Sequence, residues 1–177
     1  MRDAAAFARM LEAGCGEMPQ GFSVKVRLGI DRPELLLERM EVINAFPLRE
    51  VTIHARTARQ MYAGRVDLEA FDAARRACRH PVVYNGDLCT RADFLLLKAR
   101  FPEVTRWMIG RGAAVDPFVF GRLAAEAPPP RDAARLKGFL DEYLEVCLKE
   151  LHGPASVLGR LKELWGYLHR SLADGGR

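Results

Sequence analysis

Four short stretches combine an apolar run with side chains that could do chemistry. Lys25 and Arg27 sit in "FSVKVRLG", and His54, Arg56 and Thr57 in "VTIHART". Asn85, Gly86 and Asp87 follow in "VVYNGD", and Gly110, Arg111 and Gly112 in "WMIGRG". Cations, an imidazole and an amide gathered in one place suit an electron-rich or anionic ligand. Glycine lets backbone N–H groups approach phosphate oxygens, a helix N-terminus adds partial positive charge, and an arginine supplies a planar fork for the anion. Taken singly, each signal is weak. Lys25 alone is a solvated strand end, His54 alone a packed or surface histidine, and Asn-Gly-Asp or Gly-Arg-Gly alone a turn. Only a shared location makes them a site.

The elements between them supply that location. A first helix is expected from about Asp3 to Gly14, with Ala6, Phe7, Met10 and Leu11 on one face, followed by the turn "GCGEMPQG". Strands are expected over 22–29, 50–57, 80–87 and 103–113. Helices are expected in "PELLLERMEVINAF", with proline in its first turn, and over 67–78, 91–101 and 116–126. The strands begin near residues 22, 51, 81 and 105, so the repeats are 29, 30 and 24 residues long. Strands alternating with helices at that spacing are βα units of a parallel sheet, and their continuous apolar runs fit burial on both faces. Four such units are half of a TIM (β/α)8 barrel or the larger part of an open doubly wound sheet. In a parallel barrel the C-terminal strand ends carry function, so all four polar groups would face one mouth. The chain opens on a helix with no strand before it, which reads as a beginning cut off. The prolines of "APPPRDAA" (127–134) mark a boundary between a partial barrel over 1–126 and a small all-α region over 131–177. That region reads as two helices broken at Gly153–Pro154.

Composition excludes little else. Hydrophobic content of 49% with 28% charged residues is ordinary globular composition. The net charge of +4 permits a polyanionic partner without requiring one. No run approaches the roughly 18 apolar residues that span a bilayer, and the charged start is no secretory signal. Cys15, Cys78, Cys89 and Cys147 form no metal-ligand spacing, so a reduced, cytoplasmic chain without a metal is expected. Cys15 and Cys78 fall between a helix and the next strand, on the stability face, as does His80. Cys89 is nearer the mouth, in the first turn of a helix.

"SVKVRLG", "VTIHARTARQMYAG", "VVYNGDL" and "WMIGRGAAVDPFVF", in this order and spacing, resemble the tRNA-dihydrouridine synthases across residues 1–122. The resemblance implies the C-terminal half of a TIM barrel followed by a helical domain. It also implies FMN as cofactor, NADPH as reductant and reduction of the C5–C6 bond of uridine in tRNA. Lys25 matches the lysine beside the isoalloxazine ring, where a cation stabilises the electron-rich reduced ring. His54 matches the H-x-R-T histidine, Asn85, Gly86 and Asp87 an FMN-binding segment, and Gly110 and Arg111 a phosphate-binding pair. Arg27 and Arg56 match arginines on the substrate side. The tail "GRLKELWGYLHRSL" is similar to the helical segment of the branch acting on uridine 16. There Arg160 and Lys162 are expected to contact tRNA phosphates, beside Tyr167, His169 and Arg170, while Leu161, Leu164, Trp165 and Leu168 pack inward. The family's proton-donating cysteine lies in an "N-x-G-C-P"-like segment that has no match here. No catalytic residue is therefore assigned, and "MRD" and "LADGGR" read as clipped ends of a C-terminal fragment, inactive alone, of a monomeric parent. Two other readings stay open: another FMN-binding barrel oxidoreductase, such as a dihydroorotate-dehydrogenase-like enzyme, or a non-catalytic RNA-binding remnant.

Overall fold

The computed structural model describes residues 3–18, 21–127 and 132–173. The expected clipped ends at 1–2 and 174–177 and the proline boundary at 128–130 lie outside these residues. Contacts gather the chain into two compact units, 1–88 with 95–109, and 89–94 with 110–177. The division after residue 109 comes earlier than the proline run, so the residues 110–126 group with the helical tail.

In the first unit, the Asp3 carboxylate accepts hydrogen bonds from the backbone N–H groups of Ala5 and Ala6 and starts α1 (Ala4–Glu17). The helix continues past Gly14, which places Cys15 in its last turn. Phe7 and Leu11 are buried, whereas Met10 is left 53% exposed. Four parallel strands follow: β1 (Phe22–Gly29), β2 (Leu48–Thr57), β3 (Val82–Asn85) and β4 (Arg106–Met108). They lie in the order β1-β2-β3-β4, the neighbour-to-neighbour order that right-handed βα crossovers produce. All four C-terminal ends therefore share one edge of the sheet. The expected helix over 33–46 is divided into α2 (Glu34–Glu38) and α3 (Met40–Asn44), because Arg39 at φ −102°, ψ 1° leaves the helical region.

Register decides which side chains share a face. The row Val26–Ile53–Tyr84–Trp107 points to one side. Against it stands α4 (Leu68–Ala77), capped by Asp67, and α5 (Arg91–Arg100) follows β3. Phe71 of α4 meets Tyr84 edge-on at 4.9 Å between centroids, and Phe101 lies 5.1 Å from Phe71. Tyr84, Phe71 and Phe101 are almost fully buried, which makes them the centre of the core. The row Arg27–His54–Asn85–Met108 points to the opposite side, away from this aromatic core.

The fourth strand is far shorter than the expected 103–113. Past Gly110 the chain coils into α6 (Arg111–Val115), where Gly112, Ala113 and Ala114 have no β-branched side chain to hold an extended backbone. The second unit continues with α7 (Val119–Ala124), α8 (Ala133–Glu150, capped by Asp132) and α9 (Pro154–Ala173). Cys147, Val157 and Leu168 are buried among its helices. The break at Gly153, whose φ is +79°, stands where the sequence places it.

Phe71 is fully buried between two other rings, so Phe71→Ala should cost about 3–5 kcal/mol. Urea unfolding should show the midpoint falling with an unchanged slope.

Candidate functional site

The chemistry-bearing residues of the first unit gather on the face turned away from the aromatic core. Arg27 and His54 are register partners on adjacent strands, and His54 is in turn opposite Asn85. Lys25 lies one row earlier on the same face, so it stands mid-strand rather than at the strand end. The amide of Asn85 donates to the Met108 carbonyl oxygen at 2.9 Å, which ties the ends of β3 and β4 together. A cleft of about 820 Å³ runs between α1 and β1, with Phe7, Met10, Ser23, Lys25 and Arg27 in its wall.

The loop after β2 closes the other side. Arg27 Nη1 donates to the Thr57 carbonyl oxygen at 2.8 Å and to that of Met61 at 2.9 Å. Gln60 Oε1 accepts from the Thr57 backbone N–H at 2.8 Å. Met61 has a φ of +49° and Gly64 one of +66°, so the loop turns back sharply. That turn presents Tyr62, whose ring centre is 6.4 Å from that of His54 and 5.8 Å from the Arg27 guanidinium. Tyr62 is 54% exposed. Sequence reasoning missed it, although it lies eight residues after His54 within the quoted "VTIHARTARQMYAG" run.

His54 is buried among cations. Desolvation, followed by the charges of Arg27, Lys25 and Arg56, lowers its pKa from 6.5 to about 4, and Asp87 opposes this only weakly. The ring is therefore neutral at pH 7 and carries one N–H donor and one acceptor. Burial of the amine, with Arg27 beside it, also pulls Lys25 below its ordinary range. Lys25 has no carboxylate partner among the described residues. The site thus holds net positive charge and a neutral imidazole.

Two expected site residues behave differently. Arg56, expected on the substrate side, is only 1% exposed. Its Nη1 and Nη2 donate to the two carboxylate oxygens of Asp87 at 2.8 and 2.5 Å, and Nη2 also donates to the Gly64 carbonyl at 2.6 Å. Two residues of β1 (Arg27 to Gly29) span three of β2 (His54 to Thr57), so regular strand alternation is interrupted around position 56. Gly86 has a φ of +147°, and a Cβ there would come within 2.8 Å of Val66 Cγ1. Its glycine is thus required by the turn that brings Asp87 (φ +33°) onto Arg56, whatever else the segment binds.

Gly110 and Arg111 belong to the second unit, where Gly110 precedes α6 without a side-chain cap and with open space where a Cβ would be. In α9, Arg160 and Lys162 lie two residues apart, about 200° around the helix, on nearly opposite faces. Arg160 is bound to Glu163 at 2.8 Å. Trp165, expected to pack inward, is 51% exposed and shares the Lys162 face with Leu158 and His169. Leu168 is fully buried as expected. The four cysteines are free thiols, and no group of metal-ligand residues occurs among the described residues. No described helix is long and apolar enough to cross a membrane.

Fold and site define an α/β protein whose parallel strands present a cationic, aromatic-lidded face along their C-terminal ends. Residues 1–170 match the family described as Dihydrouridine synthase (Dus), and the chain belongs to that family. It is 34% identical over 174 residues to a probable tRNA-dihydrouridine synthase of Rhizobium leguminosarum bv. phaseoli, covering 96% of this chain and 53% of that protein. A tRNA-dihydrouridine(16) synthase of Ralstonia nicotianae is 30% identical over 152 residues, covering 81% of this chain and 46% of that protein. A probable tRNA-dihydrouridine synthase of Rhodobacter capsulatus is 30% identical over 146 residues, covering 79% and 45%. The chain spans about half the length of these curated relatives.

His54 supplies a direct check. Between pH 6.5 and about 4 the unfolded ring binds a proton that the folded ring refuses. Stability should therefore be fully present above pH 6.5 and decline toward pH 4, by about 3 kcal/mol at the limit. Followed by imidazole NMR, Lys25→Met should move the His54 midpoint upward, since it removes a like charge; an unmoved midpoint would show that the two groups do not interact.

Proposed function

We propose that this chain contributes the flavin-facing and tRNA-facing parts of an FMN-dependent, NADPH-driven tRNA-dihydrouridine synthase. The observation that carries the reading is the uncompensated pair Lys25 and Arg27 around a neutral His54 under the exposed Tyr62 ring. Net positive charge with one neutral donor–acceptor ring suits a planar, electron-rich group, so the donor set fits a flavin. When bound, FMN supplies the hydride chemistry that saturates a C5–C6 bond.

This chain's own residues do the rest. Lys25 holds a positive charge on the inner side of the site, where electron density accumulates on reduction. His54, neutral at working pH, orients a carbonyl or N–H group without adding charge. Asn85 and Gly86 border the same edge, with Asp87 committed to Arg56. Arg27 and Tyr62 form the substrate side, where an exposed aromatic ring beside a guanidinium offers a stacking surface for a nucleobase. Arg56 is left out of direct substrate contact because it is buried and paired. The phosphate role of Gly110 and Arg111 rests on the family resemblance. The remaining barrel strands, the closed (β/α)8 architecture and a cytoplasmic setting belong to the same reading. On α9, the stripe of Leu158, Lys162, Trp165 and His169 is the tRNA-facing surface, and Arg160 stands apart from it.

Titration of the purified chain with FMN, followed by flavin fluorescence, tests the cofactor. Binding is expected, with Arg111→Ala weakening it about 10- to 100-fold, the size of one lost charge-assisted phosphate contact. Retention of full affinity by both Arg111→Ala and Lys25→Met would defeat the assignment.

The tRNA surface has its own readout. Lys162→Ala should shallow the salt dependence of tRNA binding by about one unit of slope, while Arg160→Ala leaves it unchanged. Equal slopes for both variants would mean that α9 does not discriminate its two faces.

A further inference from the structure

Arg56 does more than fill space beneath the rim. The cofactor-facing turn after β3 and the Tyr62 loop after β2 are separate segments, yet one guanidinium nitrogen touches both. Nη2 donates to the Asp87 carboxylate at 2.5 Å and to the Gly64 carbonyl at 2.6 Å, while Nη1 holds the other Asp87 oxygen at 2.8 Å. We propose that Arg56 is a positioning residue that locks the Tyr62 loop and the Gly86–Asp87 turn into one body, so that the two walls of the proposed flavin and nucleobase site keep a fixed separation.

The backbone explains why such a lock is needed. Asp87 has a φ of +33° and Met61 one of +49°, both in the left-handed region that residues with a side chain rarely adopt. Each costs free energy and persists only where surrounding contacts over-determine it. The loop is gripped at two points by arginines from adjacent strands. Arg27 takes the carbonyls of Thr57 and Met61 at its start and middle, and Arg56 takes that of Gly64 at its end. Only the second grip also reaches the turn after β3. The Tyr62 ring rides between the two grips, 6.4 Å from His54. A planar fork can satisfy two carboxylate oxygens and a carbonyl together, whereas an ammonium on a flexible stem has no such fixed geometry.

The inference rests on the proposed function for the meaning of the site, but its test requires neither flavin nor tRNA. Amide hydrogen exchange is measured in the full chain at Met61 and Ala63, whose backbone N–H groups donate to Ala58 and Gln60 carbonyls. Asp87→Asn keeps the size of the side chain and removes its charge, and Arg56→Lys keeps the charge and removes the fork. Both should accelerate exchange at Met61 and Ala63 about tenfold or more, while Val51 and Ile53 in β2 keep their wild-type rates. The double variant should be no worse than the more damaging single one, as expected of two residues acting through one contact. Unchanged exchange at Met61 and Ala63 in Asp87→Asn would overturn the proposal, because the turn would then not be felt by the loop. Global unfolding of both variants would also overturn it, since the pair would be an element of the fold and not of the site. If no form of the chain bound FMN, the functional reading would fall while the exchange result stood independently.

Discussion

A guanidinium at 1% exposure is tolerable only when its charge is paired, because an unpaired buried charge costs several kcal/mol. Arg56 pairs its charge with Asp87 and donates to Gly64 as well, while its Nε is buried without a partner among the described residues, and much of the rim follows from that pairing. Asp87 must arrive from the turn after β3, which demands a positive φ at Gly86 and a left-handed backbone at Asp87 itself. Gly86 must lack a Cβ because Val66 occupies the space. The extra residue in β2 interrupts the alternation just where Arg56 is buried. One buried ion pair thus links a glycine, a left-handed turn and the course of a loop.

The same pair sets the electrostatics of the open face. With Asp87 drawn to Arg56, it opposes the cations around His54 only weakly. Lys25 and Arg27 stand on the cleft side of β1, and among the described residues Arg27 meets backbone carbonyls and the Tyr62 ring. Their positive potential is therefore turned outward to whatever occupies the cleft, and a protonated His54 becomes unaffordable beside them. The imidazole is kept neutral first by burial and then by these cations, which Asp87 opposes only weakly. It needs no dedicated partner of its own.

The βα rhythm was legible because it rests on period and length, which a single sequence displays. Four apolar runs at regular spacing define four parallel strands, and Asp3, Asp67 and Asp132 mark helix starts by capping chemistry that is local. Lys25, Arg27, His54 and Asn85 share a face because strand alternation and parallel register are equally regular. What escaped reading depends on contacts between segments distant in sequence. Arg56 follows His54 by two residues, so alternation assigns it to the same face, and only the bulge against β1 reveals otherwise. Tyr62 looks like an ordinary loop residue until Arg27 draws the loop back over His54. β4 ends earlier than its sequence suggests, because an apolar run followed by glycine and alanine has no sharp signal of where extension gives way to helix.

Helix α9 shows how far periodicity alone can decide a surface. Counting basic residues gives Arg160, Lys162, His169 and Arg170 in three turns, a composition that invites a single basic patch. A rotation of 100° per residue divides them. Lys162 falls with Leu158, Trp165 and His169, and Arg160 falls on the far side, where Glu163 one turn on neutralises it. Val157 and Leu168 mark the buried side, so Trp165 is displaced from it by enough to stay half exposed. An indole left in water thus stands beside a lysine and a histidine, with no carboxylate on its stripe. The helix thereby differs along its two sides: Val157 and Leu168 are buried within the helical unit, and the side with Lys162 and Trp165 stays exposed.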